Sequence, residues 1–264
     1  MSGVVYLFLA HLGVGITFTL LLVSKEAGSK FFRFNAGLAA GLIAAALAFR
    51  PDVDAPGGAV VTTNAVVALG VALAALTVYW IIAGRVLGWL RPWLATVATL
   101  AGAAAAVFHG LAAPSSAGGP LTVLAALTSA ALLGGTCTAM VLGHWYLVIP
   151  SMQIKHLQRA VGFHIITLVL RIAVVAAVLV VSMSGPLSSG SSVGRYITSL
   201  DGIFFWQRVL FGLAGPALLG YMTWETAKIQ STQSATGILY VDLFTVVVGE
   251  VLASYVLLSA GLAI

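Results

Sequence analysis

The chain has 264 residues, of which 61% are hydrophobic and only 7% are charged. Soluble domains carry roughly 25% charged residues, so these values exclude a water-soluble enzyme, a disordered protein and a secreted disulfide-rich domain. The net charge of +5 does not indicate nucleic-acid binding, because the basic residues lie at the ends of apolar segments instead of forming a stripe.

Eight apolar segments follow one another along the chain, separated by turn-forming clusters of Gly, Pro and Ser. Most are near or above the ~20 residues that a helix needs to cross a bilayer. The predicted helices span residues 3–24, 33–50, 61–84, 92–113, 120–149, 157–183, 203–226 and 236–262. The sequence therefore predicts an all-α integral membrane protein with a single domain over residues 1–264. No charge precedes Lys25, so we expect the first segment to remain as a membrane helix and not to be removed as a signal peptide.

The basic residues orient the predicted bundle. One set of alternate loops holds most of them, whereas the other set holds only Arg50 and Arg195. The basic residues of the first set are Lys25, Lys30, Arg33, Arg85, Arg91, Lys155, Arg159 and Lys228. Cytoplasmic loops of membrane proteins are enriched in Lys and Arg. Both termini are therefore predicted to lie on the non-cytoplasmic side of a bacterial inner membrane. The half of the bundle that contains the termini is called the outer half below, and the opposite half the inner half.

Reporter fusions test this orientation. A reporter fused after Lys228 is expected in the cytoplasm, and a reporter fused at Ile264 is expected outside, because one membrane crossing separates the two positions. Activity of both reporters on the same side would contradict the eight-helix topology.

A short internal similarity joins the first and fifth predicted helices. GVGITFTLLL at 13–22 resembles LGGTCTAMVL at 133–142, and each helix leads into a short basic loop. This pattern fits a parallel duplication of four helices. The match is short and consists of residues that are common in membrane helices, so the sequence favours chance similarity.

Four histidines lie within predicted helices, two in each half of the bilayer. From the helical rise, His11 and His109 lie about 10 and 5 Å from the outer surface, and His144 and His164 lie about 8–10 Å from the cytoplasmic surface. Two imidazoles are the axial ligands of a six-coordinate b-type heme. The pattern predicts one or two b hemes, one ligated by His144 and His164 and the other by His11 and His109. The fifth histidine, His156, is predicted to be solvated in the cytoplasmic turn.

Charged residues inside a bilayer are candidates for function because each is costly to bury. Arg171 and Glu250 share a depth of roughly 20 Å from the inner surface, which predicts a buried ion pair. Alternatively, Arg171 or Arg208 holds heme propionates and Glu250 forms a proton or quinone site. Asp242 is a second candidate for such a site, on the cytoplasmic side.

A weaker alternative places copper on the fifth helix. Cys137, Met140 and His144 share one helix face, and thiolate, thioether and imidazole ligands suit copper. One Cys and five Met in the whole chain are no enrichment, however, so ordinary packing explains this stripe better. The single cysteine also excludes an internal disulfide.

These features predict a membrane electron-transfer protein that exchanges electrons with quinone. Because almost no mass lies outside the membrane, we expect a subunit of a respiratory or photosynthetic complex, with lipid, quinone and other subunits as partners. If it is an enzyme, it is a quinone-linked oxidoreductase subunit. Two alternatives stay open: a secondary transporter or proton-coupled permease that uses the buried Arg, Glu, Asp and His residues, and a purely structural membrane subunit.

Overall fold

The computed structural model describes residues 1–55, 57–85, 88–148, 152–187 and 190–264, and within them it contains helices and no strand. Eight of the described helices are long and apolar enough to cross a membrane, as the sequence predicts. The first six are α1 (Ser2–Thr19), α2 (Gly28–Ala48), α3 (Thr63–Ile82), α4 (Arg91–Ala112), α5 (Gly119–Val148) and α6 (Lys155–Ser182). The turn expected between α5 and α6 includes residues 149–151, which lie outside the described residues.

The seventh membrane segment is built from three consecutive elements. These are α8 (Gly202–Val209), a π-helix (Leu210–Ala214) and α9 (Gly215–Lys228). A short helix, α7 (Val193–Thr198), precedes the segment, and α10 (Thr232–Ala260) completes the bundle.

The second helix begins at Gly28 and not at residue 33, so it takes up part of the segment predicted as a basic loop. Lys and Arg are good helix formers, and their long side chains reach the membrane surface from within a helix. Arg33 illustrates this behaviour, because its guanidinium lies 5.2 Å from the centre of the Trp80 ring on α3.

The helices form two groups with the same order of contacts. In the first group, α1 packs on α2, α2 on α3, α3 on α4, and α4 on α1. In the second group, α5 packs on α6, α6 on α9, α9 on α10, and α10 on α5. Between the groups, α4 packs on α5 and α10 packs on α1, which are again equivalent pairs. Parallel repeats related by an axis along the membrane normal have this arrangement, so the contacts favour a four-plus-four duplication over chance similarity.

Residues at equal offset meet where α1 packs on α5. The hydroxyl oxygens of Thr19 and Thr138, 119 residues apart, lie 2.6 Å from each other. Gly15 and Gly134 have the same separation, and a Cβ on either glycine would overlap the backbone of the other helix. Small residues allow membrane helices to approach this closely. The similar segments of α1 and α5 therefore form the central interface of the molecule.

This interface yields a stability prediction. Gly134→Val is expected to lower the free energy of unfolding by about 1–3 kcal/mol, because its side chain has no room beside Gly15. Thermal unfolding in detergent measures the loss. The matched control is Gly70→Val on α3, where an added Cβ meets no atom within 4 Å. Equal stability of the two variants would contradict the close packing of α1 on α5.

Candidate functional site

Three charged side chains converge in the outer half of the second group. Glu250 on α10 receives Arg171 Nε at 3.1 Å and Arg171 Nη2 at 3.0 Å on its two carboxylate oxygens. Arg208 Nη2 donates to Glu250 Oε1 at 2.8 Å, and Ser129 Oγ donates to Oε2 at 2.6 Å. None of the three charged residues is more than 2% exposed. The ion pair expected from the matching depths of Arg171 and Glu250 is therefore present, and Arg208 joins it.

The backbone around Arg208 is shaped to accept a guanidinium. A Cβ at Gly212 would overlap Arg208 Nη1, and a Cβ at Gly249 would lie 3.1 Å from the same atom. Gly212 lies in the π-helix that follows Arg208 directly. π-Helices occur frequently at functional sites, and this one separates Arg208 from the rest of the seventh membrane segment.

A second charged contact lies in the inner half. His164 Nε2 on α6 is 2.9 Å from Asp242 Oδ2 on α10, and both side chains are fully buried. The distance is that of an ion pair, but neither His164 Nε2 nor either carboxylate oxygen of Asp242 makes a hydrogen bond within the described residues. The other ring nitrogen, His164 Nδ1, lies 2.8 Å from the Thr136 hydroxyl. The backbone of α9 covers the ring, because a Cβ at Gly220 would lie 3.4 Å from Nε2.

The two charged contacts form two levels between the same pair of helices. His164 and Arg171 are seven residues apart on α6, and Asp242 and Glu250 are eight residues apart on α10. At a rise of 1.5 Å per residue, the levels are roughly 10–12 Å apart along the membrane normal. Ionisable groups therefore face each other at both depths.

His11 and His109 lie close together in the outer half. Their ring centroids are 5.6 Å apart, and the Tyr6 hydroxyl lies 3.0 Å from His109 Nε2. His11 is 6% exposed and His109 is 2% exposed. Both line a cavity of about 30 Å³ that Arg171 and Glu250 also line. The outer histidines therefore adjoin the arginine–glutamate cluster.

The second predicted pair, His144 and His164, is not assembled. His144 is exposed, and its Nδ1 lies 3.1 Å from the hydroxyl of Tyr240, which is also exposed. His164 is fully buried, and each of its ring nitrogens has a near neighbour, either Asp242 or Thr136. The two histidines therefore lie in different surroundings, one exposed and one fully buried.

The cavity beside the outer histidines is small compared with a heme. The cavity beside His11 and His109 has a volume of about 30 Å³. Pockets for ligands of drug size measure roughly 300–1,000 Å³, and a porphyrin is at least as large as such ligands. Since Glu250 binds Arg171 and Arg208 directly, the two arginines have a carboxylate partner without any propionate.

The copper alternative gains no support from the packing. Cys137 is 6% exposed and lies in the core, whereas His144 is exposed and Met140 is partly buried. Among the described residues, no group of three His, Cys, Asp or Glu side chains is placed to hold a metal ion. The stripe on α5 is explained by helix packing.

The prediction for His156 is wrong. This residue is 6% exposed, and its Nε2 lies 2.8 Å from Glu26 Oε2. The reason is that α6 begins at Lys155 and its first turn packs near the 3-10 turn Lys25–Ala27. In the sequence, the signal for this contact is Glu26, an acidic residue in the neighbouring basic loop.

Most of the buried ionisable residues belong to the second group of helices. Among the described Arg, Asp, Glu and His residues, the buried members in the second group are His156, His164, Arg171, Arg208, Asp242 and Glu250, whereas the first group contributes His11 and His109. No protein-family model matches the chain, and no curated protein matches it in sequence. The buried side chains themselves are therefore the guide to function.

Proposed function

We propose that the chain is a proton-coupled secondary transporter in which His164 and Asp242 bind the transported proton. The observation that carries this proposal is the contact of an imidazole with a carboxylate at 2.9 Å, both fully buried, on two membrane helices. A charged residue at the centre of a membrane helix costs roughly 2.5–3.5 kcal/mol on insertion scales. Apolar side chains would fill the space between α6 and α10 without that cost. Buried Asp and His residues are the groups through which pumps and transporters relay protons.

One proton changes the charge of this pair. With a proton on the imidazole, His164 and Asp242 are neutral as a pair; without it, the pair carries one negative charge. The free energy of burying the neutral pair in a low-dielectric region is lower than that of burying the charged pair. Proton binding at this contact therefore changes the free energy of a movement of α6 relative to α10. A proton-coupled transporter needs such a link between proton binding and helix movement.

The π-helix supports the same function. It interrupts the seventh membrane segment between Arg208, at the outer charged level, and Gly220, which covers His164 at the inner level. Substrate sites of secondary transporters lie near the bilayer midplane beside discontinuous helices. The irregular backbone of Leu210–Ala214 occupies such a position.

Proton movement in proteoliposomes tests the proposal. The purified chain is reconstituted with a pH-sensitive dye inside, and valinomycin with potassium clamps the membrane potential. Small carboxylates, amino acids, sugars and inorganic anions are then added outside, one class at a time. We expect one class to acidify or alkalinise the interior, and an imposed pH gradient to drive its uptake. A protein that moves neither protons nor any of these solutes would contradict the proposal.

An absorption spectrum separates this proposal from the heme hypothesis. We expect the intact wild-type protein to show no b-type absorbance in the difference spectrum before and after dithionite, because the cavity beside His11 and His109 is too small for a porphyrin. Heme absorbance that disappears in His11→Ala or His164→Ala would overturn the transporter proposal and restore quinone-linked electron transfer.

A further inference from the structure

A small cavity lies in the outer half of the molecule, where α1, α4, α5, α6 and α10 meet. Its volume is about 30 Å³. A buried water needs about 10–15 Å³ and two to four polar partners, so the cavity has room for about two waters. Its polar lining residues are His11, His109, Thr122, Ser129, Arg171, Glu250 and Ser254. The volume condition is therefore met, and because most of the cavity surface is apolar, a water there depends on the few polar atoms that still lack a partner.

Two ring nitrogens at this cavity lack a partner. Within the described part of the chain, neither His11 Nε2 nor His109 Nδ1 has a hydrogen-bond partner. Both residues are more than nine-tenths buried. A buried polar atom without a partner costs about 1–3 kcal/mol, and such atoms are nearly always satisfied by protein or by ordered water.

We propose that this cavity binds one or two water molecules that connect His11 and His109 and form the outer proton port of the transporter. The water site stands on the cavity and the two unpartnered nitrogens. Its role as a port rests on the proposed proton-coupled function.

One hydrogen-bonded side chain, the fully buried Tyr6, lies between the port and the first residue of α1. The Tyr6 hydroxyl lies 3.0 Å from His109 Nε2, and the opposite nitrogen of the same ring is the unpartnered Nδ1. Tyr6 stands in the second turn of α1, roughly 6 Å from the first residue of that helix by the helical rise. An imidazole that takes a proton on one nitrogen and releases one from the other acts as a proton shuttle.

The transfer balances without any further reactant. Tyr6 gives its hydroxyl proton to His109 Nε2 and takes a replacement from the outer side, while His109 releases a proton from Nδ1 to the cavity water. The ring has then exchanged one tautomer for the other, and water carries the proton to the groups around Glu250. The ionisable groups at the port are Tyr6, His11, His109, Arg171 and Glu250.

Infrared difference spectroscopy of the full-length chain in H2(16)O and H2(18)O tests the water site. We expect the wild type to show an internal-water O–H band that shifts with the heavy isotope. Ala253→Val should remove this band, because Ala253 lines the cavity and the added methyl groups occupy it. The control is Gly237→Ala on the same helix, where an added Cβ meets no atom within 4 Å.

A second variant keeps the test decisive if Ala253→Val does not fold. His11→Leu removes one polar partner without adding volume and should also remove the isotope-sensitive band. Absence of the band in the wild type, or its survival in the folded variants, would overturn the water site.

Proton uptake then separates the port from the proposed function. We expect Ala253→Val and His11→Leu to slow proton entry from the outer side at least about tenfold, as loss of a positioned proton-transfer group does. Normal proton entry in a variant that lacks the water band would overturn the port and leave the transporter standing. A wild type that holds the water but moves no protons would overturn the transporter and leave the water site standing.

Discussion

Glu250→Gln is expected to lower the free energy of unfolding by on the order of 3–5 kcal/mol, the effect of removing one partner from a buried ion pair. The neutral amide leaves two guanidiniums, those of Arg171 and Arg208, without a counter-charge in a region where no charged residue is more than 2% exposed. Chemical unfolding in detergent, followed by tryptophan fluorescence, measures the loss.

The control for this change is Glu225→Gln. Glu225 pairs with Lys228 at 2.8 Å, but both side chains are almost half exposed, so the loss should stay below about 1 kcal/mol. The double variant Arg171→Met with Glu250→Gln is expected to be more stable than Glu250→Gln alone, because one unpaired charge is removed. If the losses of the two single variants simply add, the residues are not coupled.

Asp242→Asn is expected to reduce proton-coupled transport roughly 10²-fold, the lower end of the range for a positioned proton-transfer group. The amide has almost the same shape as the carboxylate and cannot exchange a proton with His164, which lies 2.9 Å away in the wild type. The measurement is the rate of proton movement into proteoliposomes with the solute class that the wild type uses.

Two comparisons show whether the loss concerns proton binding. Asp201→Asn changes an exposed carboxylate before α8 and should transport at the wild-type rate. Asp242→Glu restores an acid at the same position and should recover part of the rate. Full activity of folded Asp242→Asn would show that the proton does not bind at this contact.

The sequence predicted the helices well because hydrophobic length and helical rise determine how a chain crosses a bilayer. The same rise matched the depths of Arg171 and Glu250, which the structure brings into contact. Depth does not fix the direction in which a side chain leaves its helix. His144 and His164 share a level but point to different surroundings, one exposed and one fully buried.

Other features depend on packing that one sequence does not reveal. His164 and Asp242 were both placed in the inner half, yet pairing them required the knowledge that α6 and α10 face each other at that level. The contact of His11 with His109 follows from the closure of the first group, in which α4 returns to α1. The π-helix Leu210–Ala214 has its sequence signal just beyond its end: Pro216 lacks the N–H that would bond to the Gly212 carbonyl, and proline is a common cause of helix irregularity.

The four-plus-four arrangement has a consequence for the history of the chain. In a symmetric homodimer, both subunits carry the same residues, and each substitution appears twice. Fusion of two copies into one polypeptide removes that constraint. The halves are then free to specialise: one accumulates the costly ionisable side chains, while the other becomes an apolar scaffold. We expect residues of α2 and α3, which contribute none of the buried Arg, Asp, Glu or His side chains among the described residues, to tolerate apolar exchanges that α6 and α10 do not.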